Sequence, residues 1–65
     1  MNELKQVVQY ILQAADELNE KQNPNDVELG QLMGLCESLK IIQSVYAGED
    51  MKKIGLDFDV DKRYL

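Results

Sequence analysis

Asn23-Pro24-Asn25-Asp26 is the corner on which this 65-residue chain turns. The proline pushes Asn23 out of the α region. Asn25 and Asp26 carry short oxygen-bearing side chains that can cap a helix beginning just after them. On either side of the corner lie two apolar runs of similar length. A link this short brings the second run back antiparallel to the first, so the corner predicts an αα-hairpin.

Upstream, Leu4, Val8, Ile11, Ala15 and Leu18 recur at spacings of four and three, with Val7, Leu12 and Ala14 widening the stripe. That is the period of one helical face. No Gly or Pro interrupts it, and Asn2-Glu3 offers a cap and an acidic first turn. The spacing predicts a helix over 2–22, a rod of roughly 30 Å. Downstream, Leu32, Leu35, Leu39, Ile42 and Tyr46 repeat in the same way. A second row, Leu29, Met33, Cys36, Ile41 and Val45, flanks them. This predicts a second helix over 26–47, with Gly48 as its left-handed terminator.

The remainder differs in character. Residues 50–54 suit one helical turn, with Asp50 as cap and Gly55 as terminator. Leu56-Asp57-Phe58-Asp59-Val60-Asp61 then alternates apolar and acidic. An extended chain would place Leu56, Phe58 and Val60 on one side. A lone strand is not stable, so 56–65 is expected as an extended arm laid on a helical surface, with a helical turn over 62–65 and Tyr64 as an anchor. The expected organisation is one all-α domain over 1–65, a hairpin over 1–48 followed by an arm over 49–65.

Composition excludes much chemistry. The chain has no His and one Cys, so neither a His-based nucleophile system nor a zinc cage can be assembled. Asp57, Asp59 and Asp61 open like a calcium loop, but Lys62 stands where the motif requires Gly. These acids are expected to be solvated charges. No catalytic, cofactor-binding or metal site is expected. Net charge is −5 with seven basic residues, which argues against direct contact with nucleic acid, whose binding depends on Lys and Arg. The longest apolar runs, Val7-Val8 and Ile41-Ile42, fall far short of the ~20 residues of a membrane span. Met1-Asn2-Glu3-Leu4-Lys5 has no secretory pattern and a lone thiol suits a reducing compartment, so a cytoplasmic location is expected. Cys36 is expected as a small buried hydrophobe.

Gly30 and Gly34 stand four apart on the second helix, each costing about 1 kcal/mol against Ala. Close approach of another backbone, from the first helix or from a second subunit, is the expected reason, and a harmless pair on the polar face or a loosened first turn and a half is the alternative. The apolar band is also wider than one seam requires. Leaving a second row in water forfeits about 1.5–3 kcal/mol for each large side chain, against the roughly 3–5 kcal/mol that a core of this size supplies. Two hairpins closing as a four-helix bundle would cover that row. A homodimer is therefore expected, with Leu29, Leu32, Met33, Cys36, Leu39, Phe58 and Val60 as the candidate self-association or partner surface.

In outline the pattern resembles small acidic helical-hairpin regulators of bacteria, among them the aspartyl-phosphate phosphatases of sporulation control. Those carry Ser-Gln-Glu-Leu-Asp on the second helix. The corresponding Cys36-Glu37-Ser38-Leu39-Lys40 keeps only the leucine and ends on a lysine. The likeness is one of shape and carries no activity across. The expected function is that of a small acidic interaction or regulatory module that binds another, unidentified protein. The alternatives are a DNA mimic that occupies a basic groove and, more remotely, a carboxylate–metal enzyme.

Overall fold

The computed structural model describes residues 2–46 and 48–64, with Glu49 described by its backbone. Four helices follow one another: α1 (Asn2–Asn19), α2 (Asp26–Val45), α3 (Glu49–Ile54) and α4 (Val60–Tyr64). There is no strand among the described residues. The two long helices pack against each other, α3 returns to α1, and α4 lies on α2.

The corner works as its residues suggest. Asn25 is the N-cap of α2. Its side-chain oxygen accepts from the Glu28 backbone N–H at 2.8 Å, and the Glu28 carboxylate accepts from the Asn25 N–H at 3.1 Å. This reciprocal box satisfies two donors that a helix start otherwise leaves unpaired. Lys21 adds an ion pair with Glu28 across the turn. That charge, followed by the hydrogen bond to Asn25, holds the Glu28 carboxyl below the usual carboxylate range.

α1 ends at Asn19, three residues before the expected Gln22. Glu20 N–H still reaches back to Asp16, but Lys21 N–H bonds Leu18, only three residues away. The last turn tightens and the chain leaves the helix, freeing Lys21 to face Glu28. α2 ends at Val45 with Tyr46 extended (φ −110°, ψ 157°), and the expected end at Ala47 lies outside the described residues. Gly48 is not the expected terminator of α2. At φ 59°, ψ −124° it precedes α3, and its carbonyl accepts from Met51 N–H at 3.1 Å. Gly55, at φ 81°, does close α3 as expected. Its N–H bonds Lys52, and Leu56 N–H bonds Met51 at 2.8 Å, a left-handed cap that β-carbon-bearing residues rarely adopt.

The arm is less extended than its alternation suggests. Leu56 and Val60 are fully buried and Phe58 half-buried, while Asp57, Asp59 and Asp61 face solvent, so the two-residue period holds that far. From Val60 the chain is helical, two residues earlier than expected. Asp59 starts this turn, its carboxylate accepting from Lys62 N–H at 3.2 Å and its carbonyl from Arg63 N–H. Four residues apart on α4, Val60 and Tyr64 then both point inward, as helical spacing dictates.

One core results: Val8 and Ala15 of α1, Leu32, Cys36 and Leu39 of α2, Ile54 of α3, then Leu56, Val60 and Tyr64. Nearly half of these residues come from the last third of the chain, so the arm is structural. Leu56→Ala should lower unfolding free energy by about 2–5 kcal/mol, read as a shift in urea midpoint at constant slope. An arm that merely rests on the hairpin would show almost no shift.

Candidate interaction face

The hairpin is a layer with two sides, and the arm covers only one. On the covered side a polar clasp runs beside the apolar contacts. Asp16 of α1 accepts from the Tyr64 hydroxyl at 2.7 Å and from the Arg63 guanidinium at 3.0 and 3.2 Å. The guanidinium carbon lies 4.9 Å from the Phe58 ring centroid, within range of a favourable cation–aromatic contact. Gln43 of α2 donates to the carbonyls of Leu56 and Phe58 at 3.0 and 2.9 Å. Lys40 pairs with Asp61 at 3.1 Å, which pushes the Lys40 ammonium pKa up.

Neither Asp16 nor Gln43 stands among the candidate residues read from the sequence, yet the structure gives both of them partners in the arm. Gln43 carried a readable signal, since positions 36, 39 and 43 share one helical stripe. Asp16 carried none. Its partners are 47 and 48 residues away, a distance no local period reports.

The candidate surface residues separate. Leu32, Cys36, Leu39 and Val60 are at most 7% exposed. They belong to the core of the single chain and are not available to a partner, because the arm occupies the side they were expected to offer. Phe58 is half-buried. Leu29 (44% exposed) and Met33 (63%) are at the surface, on the flank of α2 nearest the arm. Burial, followed by the nearby Asp61, raises the Cys36 thiol pKa. The thiol is a packed hydrophobe and a poor nucleophile. Leu39 is core, and Lys40, at the position where the phosphatase motif ends in an acid, is a cation paired with Asp61.

The other side of the hairpin is bare. Spacings of three and four bring Val7, Tyr10, Ala14 and Leu18 of α1 to it, together with Val27, Gln31, Gly34, Leu35, Ser38, Ile42 and Val45 of α2, with Ile41 at its outer edge. Among the described residues, Val7, Tyr10, Val27, Ile41 and Val45 are exposed large hydrophobics. A groove of about 710 Å³ runs between the helices, floored by Ala14, Leu18, Gly34 and Leu35 and rimmed by Glu17, Lys21, Gln31 and Ser38. An added β-carbon at Gly30 or Gly34 would meet nothing within 4 Å. The expected close approach to the first helix is therefore absent, because both positions face outward.

Among the described residues, no group of three His, Cys, Asp or Glu is placed to hold a metal ion, and no helix is long and apolar enough to cross a membrane. Compared with known protein families, curated proteins and solved structures, the chain matches none.

The clasp has a pH signature. Burial, reinforced by the hydrogen bond to Asp16, raises the Tyr64 phenol to about 12 from an ordinary 10.0. The fold thus favours the neutral phenol. Its contribution is complete below pH 10 and is lost as pH rises through 12. Denaturant titrations of the wild type should show stability falling across that window, and Tyr64→Phe should remove most of the fall. An identical alkaline profile in the variant would exclude the phenol as its source.

Proposed function

We propose that this chain is a small acidic interaction module that works by presenting the bare side of its hairpin to another polypeptide. One observation carries the reading. The arm buries one side of the layer completely enough to form a core, yet Val7, Tyr10, Val27, Ile41 and Val45 remain 50–73% exposed on the other. Single exposed hydrophobics are ordinary, but several on one side of a small domain, flanking an apolar groove between the helices, support an interaction site.

A second hairpin would cover that side as a four-helix bundle, a homodimer with α2 at its centre. Such bundles bury apolar stripes on facing layers. The lone buried thiol suits the reducing conditions of a cytoplasm, where this module would act. The reading as a DNA mimic draws less support. Asp16, Glu28 and Asp61 are each paired with a cation, which breaks up the acidic face that mimicry requires.

A photo-cross-linking amino acid at position 45, compared with one at the exposed Lys53 on α3, tests the reading in the native host. Position 45 should yield a discrete protein adduct that position 53 does not. Equal labelling from both would remove the basis for a dedicated face.

A further inference from the structure

We infer that the occupant of the bare side is a second copy of this chain, with the two α2 helices antiparallel and a twofold axis passing beside position 36. The inference rests on the interaction-module reading and supplies its partner.

Charge is the first argument. The bare side of α2, positions 27, 31, 34, 35, 38, 41, 42 and 45, holds no ionisable side chain, in a chain that is 29% charged with a net charge of −5. Two copies of an acidic molecule repel wherever carboxylates meet. This strip is where they can join without that penalty, with Glu3, Glu17 and Lys21 of α1 left at the margin.

The order of side-chain sizes is the second. Reversing the strip about position 36 sets Val27 opposite Val45, Gln31 opposite Ile41, and Gly34 opposite Ser38. A twofold interface requires a patch that fits its own inverse, and these three pairs run from broad at the ends to small at the centre, while Leu35 and Ile42, partly buried against the core, lie outside the pairing. An unrelated partner would impose no such symmetry on the strip.

The glycine supplies the third. Gly34 lowers helix propensity by about 1 kcal/mol against Ala, and nothing inside the chain repays it. It does not have positive φ, and no atom approaches its missing β-carbon within 4 Å. Ser38, one turn on, folds its hydroxyl back onto the Gly34 carbonyl at 3.0 Å, keeping that position low as well. Together they form a saddle that admits a crossing backbone.

Area is consistent with this. The molecule measures 36 × 19 × 15 Å between Cα extremes. Its broadest side therefore offers a footprint of roughly 700 Å², close to the ~800 Å² per partner of a standard specific interface. A second copy of equal length can use that side from end to end.

Disulfide trapping in the full chain tests the register. In a Cys36→Ala background, Val27→Cys and Val45→Cys each replace an exposed side chain, and circular dichroism confirms that the helices persist. Mixed in equal parts and oxidised, the two variants should give a 27–45 disulfide dimer, while each alone gives at least tenfold less. Gly34→Arg provides the second arm. It should retain or raise helicity, because Arg is the better helix former, yet weaken self-association at least tenfold in sedimentation equilibrium. The inference is overturned by single variants that cross-link as well as the mixture, or by a wild-type chain monomeric up to millimolar concentration. If position 45 then captures only other proteins in the host, the second copy is excluded and the interaction module stands. If position 45 captures nothing beyond the level of position 53, both fall.

Discussion

Everything in this fold depends on the return of residues 54–64 to the side of the hairpin they cover. Two helices 18 and 20 residues long share one seam, and one seam does not make a core. Ile54, Leu56, Val60 and Tyr64 supply the third layer, each at most 6% exposed. At about 1.5–3 kcal/mol per large side chain removed from water, these four contacts outweigh anything the exposed ion pairs contribute, which is typically under about 1 kcal/mol each. The clasp of Asp16 with Arg63 and Tyr64, and of Gln43 with two arm carbonyls, then fixes where the layer sits. Gln43 also gives hydrogen bonds to backbone groups that burial would otherwise leave unpaired.

That single event makes the hairpin two-sided. It withdraws Leu32, Cys36 and Leu39 from any partner and leaves the opposite side of the same helices uncovered. Surplus apolar surface on the hairpin is real, but it divides between intramolecular and outward use. The row that remains holds Val27, Ile41 and Val45, together with an outward glycine that the chain itself does not use.

The two long helices and the corner were legible because the signals are local, although α1 stops three residues short of the expected end. A proline, an Asn-Asp pair able to cap a helix, and a three-four period are each read within one or two turns of chain. The errors fall where two local signals compete or where none exists. Alternation over 56–61 favoured an extended arm, but Asp59 caps a helix and Val60 and Tyr64 form an inward pair once that helix starts. Gly48 carried the right residue for a special backbone conformation and the wrong element, since it serves the start of α3.

Periodicity and capping chemistry in the sequence alone therefore determined that the chain is a hairpin of two amphipathic helices turning at Pro24, with no histidine and no paired thiol for chemistry. Which side of that hairpin is core was decided only by tertiary structure. The reason is physical. A stripe wider than one seam has two equivalent ways to be covered, and the choice rests on contacts between residues nearly fifty positions apart, such as Asp16 with Tyr64, that no local pattern encodes.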